Sequence, residues 1–228
     1  MQENPRGFGY WLWRAPLILH EVNQLPDDEI LIFLDAGCEL NVNRNSTMRL
    51  VDYCEFARRN DLMVMETKFP LEQWCKIDVL VDMSLPESLW QTGLYEPGVM
   101  AIRKSERTIS LLNDWIDWMT VDNYHYLDDS PSRKPELPTF EEHRHDQAIL
   151  TCLLIQAEYQ GIEEETFFPD SWRNQGRDKP FWAARNSLPF VVEADAIPLK
   201  LVRALRKVHR RNGMNRRSIQ QIEIDGVE

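Results

Sequence analysis

Short apolar runs alternate with amphipathic segments along this chain, and the alternation restricts the fold more than any other feature. Three runs have the length of strands that are buried on both faces, namely EILIFL, DLMVME and GVMAIRK. Helical patterns precede, separate and follow these runs at residues 16–25, 47–59, 73–83, 106–119 and 141–159. This order predicts an α/β domain in which a mostly parallel sheet is flanked by helices.

The remaining segments predict loops and an appended helix. Residues 120–140 are rich in Asp, Ser and Pro, which is typical of a long surface loop of the kind that closes over a site. Short strands and loops are expected after Gly161, and residues 199–211 have the pattern of a basic amphipathic helix. We therefore expect one domain over residues 1–197, followed by a basic C-terminal helix and tail over residues 198–228.

Positive charge is concentrated in the basic segment of the C-terminal part. The formal net charge is −11, and because residues 198–217 contribute +8, the rest of the chain carries −19. An acidic surface of this kind repels a phosphate backbone, so we expect no nucleic-acid partner. The basic helix is suited to recruitment to an anionic membrane or, as a lower-ranked alternative, to RNA, or else to packing against the acidic domain.

Cysteine spacing and hydropathy indicate the compartment. The four cysteines are scattered without a CxxC pair, which favours neither a zinc site nor a disulfide framework. Every apolar run is far shorter than the roughly 20 residues that span a bilayer, and the first residues lack the pattern of a signal peptide. We expect a cytoplasmic protein that is at most peripheral on the inner membrane face.

Asp35 directly follows the first apolar run, in FLDAGCEL. Ligands of open α/β sheets bind beyond the carboxyl ends of the strands, which is where this carboxylate is expected. The small residues Ala36 and Gly37 leave room for a bulky ligand, and the carboxylate can hold a divalent cation that offsets a diphosphate. The alternative is that Asp35 caps a turn or a helix.

Five motifs, taken in order, resemble a known enzyme family. GFGYWLWRAPLIL, DEILIFLDAGCELN, QWCKIDVLVDM, YEPGVMAIRKS and RHDQAIL follow one another over residues 7–155. This succession resembles the nucleotide-sugar-dependent glycosyltransferases of the GT-A fold, in particular bacterial relatives in lipopolysaccharide and capsule synthesis. The resemblance implies transfer of a sugar from a nucleoside diphosphate sugar to a hydroxyl of a glycan or lipid-linked acceptor. Such enzymes usually have a strand, a helix and a strand for the nucleotide base ahead of the aromatic stretch. We expect that this segment is lost, lies outside this reading frame or is replaced by another part of the chain.

The resemblance also implies a metal site. In such enzymes an Asp-x-Asp motif binds a divalent metal and the donor diphosphate, and Asp35 matches its first acid. Gly37 stands at the place of the second acid, and Glu39 follows two residues later. The implied cofactor is Mn²⁺ or Mg²⁺ held by Asp35, Glu39, water and phosphate oxygens, unless basic residues take its place.

Three basic residues are candidates for contact with the diphosphate. Arg14 follows the aromatic stretch, and the resemblance aligns Lys76 with a recurring Lys-x-Asp segment. Arg185 lies near the C-terminal edge of the domain, and arginine suits bidentate phosphate contacts. The alternative for Lys76 is a solvated helix lysine, and we expect the neighbouring Asp78 to be a surface acid.

Two further motifs are expected to face the transferred or accepting sugar. Gly98 permits close backbone approach at the start of a strand, and Glu96 can hydrogen-bond sugar hydroxyls, although a purely structural glycine is the alternative. Asp146 and Gln147 near a helix start are expected to aim outward, where they can bind hydroxyls. There Asp146 can accept the proton of the attacking acceptor hydroxyl. The alternative for Asp146 is an acid that stabilises the helix N-terminus.

Two other features complete the expected site. His143 and His145 have poor spacing for a shared helical metal site, so we expect surface histidines. Aromatic rings stack on sugars and nucleobases, so GYWLWRAP fits the rim of a nucleotide-sugar pocket, with Tyr10 and Trp11 as the pocket candidates. Gly37 and the early start of the aromatic stretch also suit a second hypothesis. In that hypothesis the chain is a non-catalytic nucleotide-sugar-binding or scaffold protein with a degenerate transferase fold.

Overall fold

Strands and helices alternate in the computed structural model, which describes residues 6–166 and 175–184. The helices are α1 (Gly7–Tyr10), α2 (Arg14–Gln24), α3 (Arg44–Asn60), α4 (Leu71–Trp74), α5 (Ile77–Asp82), α6 (Glu106–Thr120) and α7 (His145–Gln156). The strands are β1 (Ile30–Leu34), β2 (Glu39–Leu40), β3 (Leu62–Pro70), β4 (Gly93–Arg103), β5 (Ile162–Glu163) and β6 (Phe181–Trp182). Short 3₁₀ turns occupy Glu87–Leu89 and Val121–Tyr124. Arg185 and the predicted C-terminal helix lie outside the described residues.

Four strands form the main sheet in the order β1-β4-β3-β5, and β2 pairs with β6 in a separate ladder. β1, β3 and β5 run in one direction, whereas β4 is reversed and lies between β1 and β3, so both of its ladders are antiparallel. The predicted α/β class with a sheet flanked by helices is confirmed. The apolar run of β4 does not reveal the reversal, because a strand buried on both faces has the same composition in either direction.

Helices cover both faces of this sheet. On one face α2, α6 and α7 pack together and α7 packs on β4, whereas α3 covers the other face. Alternate side chains of β4 point to opposite faces of the sheet. Met100 and Ile102 therefore belong to the larger core beneath α7, and Val99 and Ala101 belong to the smaller core beneath α3.

Three predicted helices have different boundaries in the structure. α3 begins three residues earlier than predicted, because the Asn43 side chain caps it by accepting the Ser46 N–H at 3.0 Å. Residues 73–83 contain parts of two short helices, because Cys75 between them has extended backbone. α7 begins at His145, four residues later than predicted.

The segment after α6 is irregular, as predicted, but part of it is buried. His125, Tyr126 and Leu127 are all buried, so the prediction of a surface loop is wrong for this part of the chain. Within the described ranges, no helix has both the length and the apolar character that a bilayer span requires.

Candidate active site

The carboxylate that follows β1 meets the middle of β4. Asp35 donates its backbone N–H to the Gly98 carbonyl at 2.8 Å, and its side chain is 33% exposed. A Cβ atom at Gly98 would lie 2.9 Å from Asp35 Oδ2 and 2.8 Å from Glu96 Oε1. A larger residue here would therefore displace the ends of both carboxylates.

Arg14 joins three elements at this point. The first residue of α2, it donates from Nη2 to both carboxylate oxygens of Asp35, at 3.1 and 3.0 Å. Nη1 donates to Asp146 Oδ2 in the first turn of α7. The side chains of Arg14 and Asp146 are only 4% and 3% exposed. Burial opposes the charge of Arg14, but the Asp146 and Asp35 carboxylates outweigh it and raise the pKa of the guanidinium.

Asp146 is buried beneath Arg14, so the prediction that its side chain aims outward is wrong. The Trp115 indole N–H donates to the Asp146 backbone carbonyl at 2.9 Å and holds this turn against α6. Burial raises the pKa of the Asp146 carboxyl to about 7, although the attraction to Arg14 acts in the opposite direction. The carboxyl therefore exchanges a proton close to neutral pH.

Glu96 and Gln147 extend the cluster. Glu96 Oε1 accepts the Gly98 N–H at 3.0 Å, and Gln147 Nε2 lies 3.5 Å from Glu96 Oε2. Both residues are half-buried. The structure thus brings together Arg14, Asp35, Glu96, Gly98, Asp146 and Gln147 from the predicted set. Fully ionised, these residues carry one positive and three negative charges.

Predicted aromatic residues cover a histidine beside this cluster. The Tyr10 and Trp11 rings lie 4.7 and 5.9 Å from the His145 ring, measured between centroids. Trp13 is half-buried, and its indole N–H donates to the Gly7 carbonyl at 3.0 Å. We call residues 7–13, the short turn ahead of α2, the aromatic turn.

His143 and His145 are buried, so the prediction of surface histidines is wrong. The reason is that the segment after α6 covers them. His145 Nδ1 lies 2.8 Å from the Leu127 carbonyl, and His143 Nε2 lies 2.8 Å from the Tyr126 carbonyl.

Lys76 and Asp78 are also buried, at 3% and 0% exposure. The alternative of a solvated lysine and the prediction of a surface acid are therefore both wrong. Lys76 Nζ donates to the His125 carbonyl at 2.7 Å and lies 3.2 Å from Asp128 Oδ1. Asp78 accepts the Arg133 N–H at 2.7 Å. These two buried charges hold residues 125–134, which we call the strap.

Asp129 in the strap lies beside Tyr10 and His145, and no sequence motif marks it. Its side chain is 49% exposed, and its carboxylate accepts a hydrogen bond from the Tyr10 hydroxyl. It also lies 3.7 Å from Arg6 Nη1 and 3.6 Å from His145 Nε2. The prediction that this segment closes over a site was the only available signal, because an Asp among other polar residues has no periodicity to mark it.

The described residues contain no group of three or more His, Cys, Asp or Glu side chains arranged to hold a metal ion. Glu39 lies in β2, opposite Trp182 of β6. The partly exposed carboxylate of Asp35 nevertheless suits Mg²⁺ or Mn²⁺, because Mg²⁺ is often bound by one or two carboxylates with water and substrate phosphates. Two surface cavities are lined by other residues, such as Arg107 with Tyr159 and Asn43 with Arg177.

Comparison with known proteins gives one distant likeness. No protein-family model matches the chain, and no curated protein matches it. The crystal structure of mouse xyloside xylosyltransferase 1 in its apo form is similar with a TM-score of 0.42 and 14% sequence identity. The likeness covers 77% of this chain and 64% of that chain, so this chain spans less than two thirds of that structure. We infer neither a fold family nor an activity from a likeness at this level.

Proposed function

We propose that this protein is a glycosyltransferase that moves a sugar from a nucleoside diphosphate sugar to a hydroxyl of a glycan or lipid-linked acceptor. The supporting observation is the Arg14 bridge between Asp35, at the carboxyl end of β1, and Asp146, at the start of α7. The bridge assembles the residues expected for the donor and the acceptor at one edge of the sheet. The aromatic turn lies directly beside them.

Asp35 is proposed as the donor-side carboxylate. It would hold Mn²⁺ or Mg²⁺ together with phosphate oxygens and water, and the ion would neutralise the charge on the departing diphosphate. The charge of the cluster supports a cation, because among the residues gathered here Arg14 is one positive charge against the carboxylates of Asp35, Glu96 and Asp146. Lys76 is assigned a structural role, since its ammonium is already paired inside the protein.

Glu96, Gln147 and the Gly98 backbone are proposed to bind sugar hydroxyls at the other side of the cluster. Their polar groups are half-buried, as is usual where a few placed groups orient a ligand. Asp146 is proposed as the base that takes the acceptor proton, since a pKa of about 7 suits proton transfer near neutral pH. Contact with the acceptor requires Arg14 to release its carboxylate.

Asp35→Asn tests this proposal. We expect the unmodified protein to bind and turn over one of a panel of UDP- and GDP-hexoses with Mn²⁺, measured by calorimetry and by release of the nucleoside diphosphate. Asp35→Asn should lose at least about 100-fold in turnover, because the amide keeps the shape and removes the charge. Asp52→Asn, at an exposed acid of α3, is the matched control and should behave like the unmodified protein. Failure of the unmodified protein to bind any sugar nucleotide would overturn the proposal.

A second candidate function is nucleotide-sugar binding without catalysis. Burial of Asp146 and occupation of both Asp35 oxygens by Arg14 favour it, because both acids are then used structurally. The same panel separates the candidates: binding without release of the nucleoside diphosphate identifies the binding protein.

A further inference from the structure

His145 leaves a buried hydrogen-bond acceptor unpaired. Its Nδ1 lies 2.8 Å from the Leu127 carbonyl, which can only accept, so Nδ1 carries the proton. Burial lowers the pKa of the imidazole, although the Leu127 carbonyl and Asp129 oppose this shift. In the neutral ring Nε2 is then a bare acceptor. It is buried, and no group of the described residues donates to it.

Asp129 presents a second acceptor to the same place. Its Oδ1 lies 3.6 Å from His145 Nε2 without a hydrogen bond between them. The imidazole acceptor is buried without a donor, and an unsatisfied buried polar group is costly. The Asp129 carboxylate is half-exposed and accepts the Tyr10 hydroxyl, and it keeps lone pairs for a second donor. Neighbouring hydroxyls of one sugar ring supply two donors at a suitable spacing.

The aromatic turn covers this acceptor pair and is itself strained. Gly7, Phe8, Gly9, Tyr10 and Trp11 all have φ between +55° and +95°, and His145 has φ of +49°. For residues other than glycine this left-handed conformation is unfavourable, because Cβ comes too close to the following carbonyl oxygen. Strain of this kind gathers at ligand clamps, where the surrounding contacts hold it in place. Here those contacts include the Tyr10 hydroxyl on Asp129 and the rings on His145.

Lys76 and Asp78 hold the strap that carries Asp129. Lys76 pairs with the preceding residue, Asp128, and Asp78 binds the Arg133 N–H at the far end of the strap. Lys76 and Asp78 are both buried. A shift of the strap would therefore leave a buried charge without its partner. Lys76 and Asp78 therefore fix the position of the backbone that carries Asp129.

We propose that His145 Nε2 and Asp129 bind two neighbouring hydroxyls of a sugar when the aromatic turn moves off them, with Lys76 and Asp78 as positioning residues. This inference rests on the proposed function and assigns a sugar-recognition subsite within it. The hydroxyls belong either to the donor sugar or to the acceptor sugar.

Two conservative variants test the subsite. His145→Asn keeps a side-chain N–H for the Leu127 carbonyl, tolerates positive φ and removes the Nε2 acceptor. Asp129→Asn keeps an acceptor oxygen for Tyr10 and removes the charge. Each is titrated by calorimetry with the best sugar nucleotide of the panel, with its nucleoside diphosphate alone and with methyl glycosides. Asp52→Asn is the control.

If the hydroxyls belong to the donor, the Kd of the sugar nucleotide should rise about tenfold in both variants, while the Kd of the nucleoside diphosphate stays unchanged. If they belong to the acceptor, the Kd of a methyl glycoside should rise and both nucleotide affinities should stay unchanged. Unchanged affinity for every sugar would overturn the inference and would indicate that an ordered water satisfies the pair.

A ¹⁵N NMR spectrum of the histidine rings gives a test that needs no ligand. We expect an unprotonated Nε2 on His145 at pH 7.5, and a protonated Nε2 would overturn the inference. Loss of turnover in Asp35→Asn with normal sugar binding in the two new variants would reject the subsite alone. If no sugar nucleotide binds, the proposed function fails, and loss of methyl glycoside binding in His145→Asn then decides the subsite independently.

Discussion

At the scale of single residues, Arg14 is the side chain on which the cluster depends most. Its guanidinium is buried between two carboxylates, and removing one partner of a buried pair leaves an uncompensated charge. We predict that Arg14→Met lowers the free energy of unfolding by about 3 kcal/mol, measured by urea denaturation at pH 7.5. The control is Arg6→Met, whose pair with Glu142 is about 40% exposed on each side and should cost less than about 1 kcal/mol. Equal losses at the two sites would contradict this prediction.

The pKa shifts of Asp146 and Asp78 have opposite signs and predict opposite dependences of stability on pH. Burial raises the pKa of Asp146 from 3.8 to about 7. The contribution of this carboxyl to the free energy of unfolding is therefore complete below pH 3.8 and is lost as the pH rises to about 7. Burial would raise the pKa of Asp78 too, but the Arg133 N–H and His125 outweigh it and lower the pKa to about 2. Its contribution is therefore present above pH 3.8 and is lost as the pH falls to about 2.

Urea denaturation between pH 3 and 8 checks these signs. Relative to the unmodified protein, Asp146→Asn should gain stability as the pH rises from 4 to 7, because the amide needs no proton. Asp78→Asn should be less stable by a constant amount over that range, and the deficit should shrink below pH 3.8. A difference for Asp146→Asn that stays flat from pH 4 to 8 would refute burial as the cause of its shift.

At the scale of elements, β4 carries two glycines with different neighbours. A Cβ at Gly98 would meet the ends of the Glu96 and Asp35 side chains, whereas a Cβ at Gly93 would lie 1.9 Å from the Thr67 backbone oxygen. We predict that Gly98→Ala weakens sugar-nucleotide binding at least tenfold by displacing the two carboxylates, at a small cost in melting temperature. Gly93→Ala should lower the melting temperature strongly and affect binding little, because the Thr67 backbone must move to make room for the methyl group. Calorimetry and thermal unfolding of both variants separate the two effects.

At the scale of the whole molecule, the main core is connected directly to the site. Trp115 is fully buried in α6, and its indole N–H holds the backbone of Asp146. We predict that Trp115→Ala lowers the free energy of unfolding by roughly 3–5 kcal/mol, as expected for a large core cavity. Trp115→Phe should cost less stability, because the ring still fills part of the space, yet should weaken sugar-nucleotide binding by releasing the first turn of α7. Urea denaturation and calorimetry test this, and unchanged binding in Trp115→Phe would show that the core does not position the site.

The sequence by itself determined the α/β alternation and several members of the cluster. Apolar period is a local property, so β1, β3 and β4 could be predicted before any contact was known. The end of β1 also identified Asp35, because ligand positions in open sheets follow from strand ends. Arg14, Glu96, Gly98, Asp146 and Gln147 were named from motifs, and the structure brings them into one cluster with Asp35.

Only the tertiary structure decided the direction of β4, the burial of the charges and the place of Asp129. Lys76, Asp78 and His145 look the same in the sequence whether they are solvated or paired. The partners of Lys76 and Asp78 come from the strap, and the Tyr10 ring that contacts His145 comes from the N-terminal end of the described chain. Such pairings depend on which segments the fold brings together, and a buried charge is stable only once that partner is in place. No local pattern carries that information.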